Sequence, residues 1–145
     1  MKKDDVIAQY KTLVHELGEN AHDVVLSAGA AAVMMGIRDE TSDLDVDVLP
    51  GVWKWAAINR TVLKNEGLAD RVVYSDTVGL HELDEDRGRV CIEGVWVYSP
   101  RELIMQKRTL TRAPCRGIGK LVRDEVEVAL LISMGHITKF TAKAV

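Results

Sequence analysis

The sequence predicts a single α/β domain built on a mixed, twisted sheet flanked by helices. Two observations carry that expectation. Helical periodicity opens and closes the chain, with short period-two or continuous apolar runs between. Those runs are interleaved with a helical segment instead of forming a separate block, which is the pattern of an α/β layer architecture. A length of 145 residues, without repeat, low-complexity segment or linker, suits one core. We take 1–135 as the domain and 136–145 as a short C-terminal tail.

The elements follow in order. Val6, Ile7, Tyr10, Leu13, Val14 and Leu17 recur at helical spacing, and Gly18 stands where a C-terminal cap belongs. Residues 24–26, Val-Val-Leu, read as a short buried strand. Gly29 interrupts the chain, and 30–35 form a short helix of small apolar residues closed by Gly36. A charged loop, 37–41, leads to Asp43-Leu44-Asp45-Val46-Asp47-Val48-Leu49, whose strict alternation marks a strand. Pro50-Gly51 stops it. Residues 52–65 are expected to form an amphipathic helix with Trp55, Ile58, Val62 and Leu63 facing inward and Gly67 ending it. Strands are expected at 72–75, 78–83 and 89–92, with 84–88 as a turn. Gly94 joins the last of them to a hairpin partner at 95–98. Ser99-Pro100-Arg101-Glu102 is a capping-box start for a helix to about 112. Residues 113–117 break the chain before a final helix from 118 to 134, ending at Gly135. Trp55 and Trp96 are assigned to the core, and Trp53 to an exposed position suited to stacking on a base.

Composition narrows the function classes. Hydrophobic residues make up 47% and charged residues 28%, as in soluble globular proteins. No window is apolar enough to span a bilayer and no signal-peptide core follows Met1, so the expected setting is cytoplasmic, without a membrane partner. Cys91 and Cys115 are too few for a disulfide framework and are expected to be reduced. The net charge of −3 disfavours a general nucleic-acid binder, but charge is unevenly placed. Acids crowd the first third, and basic residues dominate 101–123. That division suits a site holding both metal and phosphate, and equally two solvated helix faces.

Asp43, Asp45 and Asp47 fall on one face of a strand, with neighbours roughly 6.5–7 Å apart. Aligned carboxylates repel unless water or a cation lies between them. Mg²⁺ typically takes one or two carboxylates together with phosphate and water oxygens. The same alternation also suits an edge strand that uses charge to deter pairing. The preceding residues favour the metal. Ser27-Ala28-Gly29 ends a strand and opens a helix, a small-residue turn where backbone amides approach phosphate closely. Arg116-Gly117-Ile118-Gly119-Lys120 lacks the spacing and the preceding strand of a phosphate loop and is set aside.

Ala28-Gly29-Ala30-Ala31, Gly36 and Thr41-Ser42-Asp43-Leu44-Asp45-Val46 together resemble the signature of the nucleotidyltransferase superfamily, the DNA polymerase beta-like fold. Ser99-Pro100-Arg101-Glu102-Leu103-Ile104 with Lys107 resembles a second stretch of its small members. Arg123-Asp124 and Glu127 resemble a late helix. Ala28 stands where the family has its first glycine. The resemblance implies that Asp43 and Asp45 hold Mg²⁺ or Mn²⁺ and that Ser27, Gly29, Ala30 and Thr41 surround the phosphates of a nucleoside triphosphate. Lys107 and Arg108 would contact the triphosphate or a nucleic-acid acceptor. A third carboxylate is expected on a later strand; Glu82 is preferred over Asp76 and Glu93, and His81 is an alternative base.

Two functions follow from this resemblance. One is metal-dependent transfer of a nucleoside monophosphate from a nucleoside triphosphate such as ATP to an RNA, protein or small-molecule acceptor. Small toxin–antitoxin and antibiotic-modifying nucleotidyltransferases are the nearest in kind. The other is a degenerate module that keeps the fold and binds a nucleotide or a macromolecular partner. The chain is too short to add a helical acceptor-holding domain, so a small acceptor, a homodimer or a partner protein would complete the site.

Overall fold

The computed structural model describes residues 1–64, 69–110 and 117–144, with the side chains of 110 and 135–144 excepted. Gly67, Arg112, 113–116 and Cys115, to which the sequence assigned helix ends, a chain break and a thiol, lie outside the described residues.

Helix α1, Lys3–Leu17, ends at Gly18, whose left-handed backbone (φ 64°) lets its N–H reach the Val14 and His15 carbonyls. This is the C-terminal glycine cap expected from sequence. A single 3₁₀ turn leads to β1, Val24–Ser27, every residue of which is buried. The Tyr10 hydroxyl donates toward the Ala21 (2.9 Å) and Val24 (2.8 Å) carbonyls and accepts from the Trp96 N–H, fixing α1 over β1. Helix α2, Ala28–Met34, is almost wholly buried, so its small residues allow close packing. Strand β2, Leu44–Val48, buries Leu44, Val46 and Val48 completely.

Helix α3 is Pro50–Ala57, with proline in its first turn. It is shorter than expected, and Val62–Leu63 is a strand, β3. Apolar residues at 58, 62 and 63 suit either period, and tertiary pairing with β4, Arg71–Val73, decides the outcome. Three inward assignments change with it: Ile58 is 75%, Trp55 53% and Leu63 44% exposed. The Arg60 guanidinium lies 5.4 Å from the Trp55 ring centre and 4.6 Å from that of Tyr74, so a cation covers the indole where a core would have. Trp53 is half-buried and its indole N–H donates to the Leu80 carbonyl (3.0 Å), so it is not the free stacking surface expected. Trp96 is half-buried, edge-on to His22, and not a core residue.

Strands β5 (Val78–Glu82), β6 (Arg89–Ile92) and β7 (Val95–Tyr98) complete the sheet. Glu93 and Gly94 both have positive φ, the geometry that closes a two-residue hairpin between β6 and β7. Among the described residues the seven strands run in the order β3-β4-β5-β2-β1-β7-β6. β2 pairs antiparallel with β1 and parallel with β5, and β7 runs parallel to β1, so the sheet is mixed. Helix α4, Pro100–Leu110, packs on α2, β7 and α5. Helix α5, Ile118–Ala144, continues through Gly135 instead of ending there. One interior glycine costs about 1 kcal/mol relative to alanine, too little to stop a long helix by itself. No helix among the described residues is long and apolar enough to cross a membrane. The fold is a single-domain α/β structure with five α-helices among the described residues.

Candidate functional site

A cleft of about 1120 Å³ opens where the β1–α2 turn meets the acidic face of β2 and the N-terminal half of α5. The turn is built by what it lacks. A Cβ at Gly29 would stand 2.3 Å from Arg38 Nη1 and 2.6 Å from Thr41 Oγ1, so any larger residue would push these side chains of the loop after α2 aside. Ala28 has φ 50°, a left-handed backbone that favours glycine. An alanine thus holds a backbone conformation that glycine adopts more easily. Thr41 Oγ1 donates to the Asp43 carbonyl (3.1 Å), and the Ser27 hydroxyl donates to the Asp45 carbonyl (3.3 Å). Both hydroxyls therefore brace the carboxylate strand. Ser27, Gly29 and Thr41 line the cleft; Ala30 is fully buried in the core and does not.

Asp43, Asp45 and Asp47 all border the cleft, but in different states. Asp43 is half-buried. Asp45 Oδ1 lies 3.4 Å from Arg71 Nε and 3.8 Å from His81 Nε2. Asp47 is buried and accepts a hydrogen bond from the Tyr98 hydroxyl. Burial pushes its carboxyl up to about 6, against lowering by the Tyr98 hydrogen bond and by the nearby His81 and Arg87. The Tyr98 phenol is pushed up as well, first by burial and then by the Asp47 charge.

The raised carboxyl of Asp47 implies a direction for stability. The folded state holds the proton more tightly than the unfolded chain, so the contribution is full below the ordinary carboxylate range, near 3.8, and is lost as pH rises through about 6. Asp47→Asn keeps an acceptor for Tyr98 and removes the charge. Urea unfolding at pH 8 should show it more stable than wild type by about 3 kcal/mol, the gain largely gone near pH 4. An equal gain at both pH values would mean that the carboxylate is not what costs stability.

In the β2–β5 register Asp45 faces Gly79, Asp47 faces His81 and Val48 faces Glu82. Strand alternation puts Gly79 and His81 on the acidic side and Glu82 on the aliphatic side. Glu82 is exposed and borders the cleft only at the strand's end. Asp76 precedes β5 and Glu93 lies in the β6–β7 turn; neither borders the cleft.

The opposite wall is a buried charge cluster. Lys107 of α4 is 4% exposed, with Nζ 2.8 Å from Glu127 and 3.5 Å from Asp124 of α5. Arg38 donates twice to Glu127 (2.6 and 2.9 Å), and Arg123 stands 3.7 Å away. Among the described residues, Lys107, Arg38 and Arg123 stand against Glu127, and Lys107 also against Asp124. Lys107 is therefore a structural cation at the cleft edge. Arg108 is exposed and outside the cleft lining, whereas Lys120 and Arg123 border it.

Among the described residues no three His, Cys, Asp or Glu side chains converge to hold a metal ion by themselves. Asp43 and Asp45 nevertheless fit a divalent ion that arrives with phosphate oxygens, since such an ion needs only one or two carboxylates from the protein. Sequence reasoning missed Arg38, Arg71 and Tyr98, whose partners lie in distant segments. Compared with family models, with curated proteins and with solved structures, the chain finds no match.

Proposed function

We propose that this chain is a nucleotidyltransferase-like protein whose cleft binds a nucleoside triphosphate with Mg²⁺ and transfers the nucleoside monophosphate to an acceptor. The observation that carries the reading is the convergence of the Gly29 turn with Asp43 and Asp45 in one cleft. Gly29 leaves room for Arg38 and Thr41 to close against the turn, and the Ser27 and Thr41 hydroxyls hold the β2 backbone in place. Asp43 and Asp45 would hold the ion, and Lys120 and Arg123 on the opposite wall would face the phosphate charge. When bound, the ion neutralises triphosphate charge and polarises the reacting phosphoryl group. The acceptor hydroxyl needs a base, and His81, on the same face as Asp45, is better placed by register than Glu82.

Gly79 beside Asp45, where a further carboxylate would serve transfer, favours a second reading: a nucleotide-binding module without transfer chemistry. Calorimetric titration with each of the four ribonucleoside triphosphates, in Mg²⁺ and in EDTA, tests both. Metal-dependent binding supports a nucleotide site, and release of pyrophosphate on adding candidate acceptors separates enzyme from module. If folded protein binds none of the four in Mg²⁺, both readings are wrong.

A further inference from the structure

Position 79 is where the fold brings a β5 residue level with Asp45. A side chain there would share the Asp45 ion or hold a second one. Instead the residue is glycine, and the space above it is filled from the other side. Strand β4 pairs antiparallel with β5, with Val73 opposite Gly79 and Val72 opposite Leu80. Continuing that register by one residue sets Arg71 opposite His81, diagonal to Gly79. From there the Arg71 side chain leans across β5, so close that a Cβ on Gly79 would lie 1.7 Å from its Nε. It ends 3.4 Å from Asp45 Oδ1, with Nε buried and outside hydrogen-bond geometry. Glycine at 79 is thus what lets a guanidinium occupy this place.

A fixed positive charge has a consequence for the ions the cleft can hold. Mg²⁺ and Mn²⁺ need carboxylate or phosphate oxygens and avoid other cations. Asp43 lies on the far side of Asp45 from the guanidinium along the strand, and no carboxylate occupies the β5 position level with Asp45. We infer that Arg71 stands in for a second metal ion: the cleft takes a triphosphate with one divalent ion, and the Arg71 guanidinium, laid over Gly79 onto Asp45, supplies the second positive charge toward the phosphates. A planar guanidinium suits that role because it can meet two phosphate oxygens at once. This inference rests on the triphosphate reading above and commits it to a site of one ion.

The test uses inorganic triphosphate and Mn²⁺, so that base preference plays no part. Equilibrium dialysis of the whole chain reads Mn²⁺ bound per triphosphate bound, with circular dichroism confirming the fold of each variant. Wild type should hold one Mn²⁺ per triphosphate. Arg71→Ala should keep that ratio and weaken triphosphate binding about tenfold, with Arg71→Lys between the two. Gly79→Ala, which pushes the guanidinium aside while leaving it on the chain, should weaken binding similarly. Arg71→Ala/Gly79→Asp, which replaces the cation with a carboxylate, should raise the ratio to two. Two Mn²⁺ per triphosphate in wild type would overturn the inference and leave the nucleotide reading standing. Unchanged affinity in Arg71→Ala, or a folded double variant still holding one ion, would overturn the role given to Arg71 and Gly79. Absence of any triphosphate binding by wild type would overturn both readings together.

Discussion

Asp43→Asn/Asp45→Asn should abolish the metal dependence of triphosphate binding while leaving the fold intact. The ratio of affinities in Mg²⁺ and in EDTA should fall at least about 100-fold, toward unity, since even residues behind metal ligands change metal affinity by about 10–100-fold. The ratio is the right quantity because the two substitutions act in opposite senses. Removing carboxylates removes the ion's ligands, yet it also leaves Arg71 without the Asp45 charge 3.4 Å away and makes the cleft more positive. Metal-free triphosphate should therefore bind the variant no worse than wild type, and binding in Mg²⁺ should drop to that level. Stability should change little. Asp43 is only half-buried, and removing like charges from one strand face relieves repulsion while the Arg71 contact is lost. A variant that keeps the wild-type ratio would mean that neither carboxylate holds the ion. A variant that fails to fold would instead move the role of Asp45 from ligand to structure.

The parts of this site that sequence could supply are those whose causes are local. The Asp43-to-Leu49 alternation predicted β2 because one strand face packs on the core and the other does not, and Leu44, Val46 and Val48 are indeed fully buried. Gly29 was recognised from its neighbours, and the β6–β7 hairpin from Gly94. What failed depended on partners elsewhere. Val62 and Leu63 carry no period of their own, and only pairing with β4 makes them a strand. Asp47 looked equivalent to Asp45 by alternation. Its partner Tyr98 lies 51 positions away, so its burial and raised carboxyl could not be seen. Membership of a strand near the site favours Glu82, which does border the cleft. Register decides which residues of that strand face Asp45, and register comes from the paired sheet. Arg71 had no signal at all, since its role depends on a glycine on the next strand.

Glu127→Ala should cost about 3–5 kcal/mol of folding stability, the usual range for removing one partner of a buried ion pair. Glu127 is 2% exposed and joins three segments: Arg38 from the loop after α2, Lys107 from α4 and its own helix α5. Without it Lys107 stays buried with Asp124, at 3.5 Å, as its remaining carboxylate, and Arg38 loses both hydrogen bonds to Glu127. The penalty comes from leaving that charge short of compensation more than from the attraction lost. Glu127→Gln keeps an acceptor for Arg38 and should cost roughly half as much. Unfolding in urea checks both values. Repeating it at high salt separates a buried cluster, whose loss salt barely changes, from a solvated one. A loss below about 1 kcal/mol for Glu127→Ala would place these charges in contact with water, where pairs are worth that little. The effect should also reach the cleft. Arg38 is one of the two side chains that would meet a Cβ on Gly29, at 2.3 Å, so a loosened Arg38 loosens the wall of the β1–α2 turn. Triphosphate binding by Glu127→Ala should therefore weaken even where the protein remains folded. The metal ratio, set by Asp43 and Asp45 on the other wall, should not change.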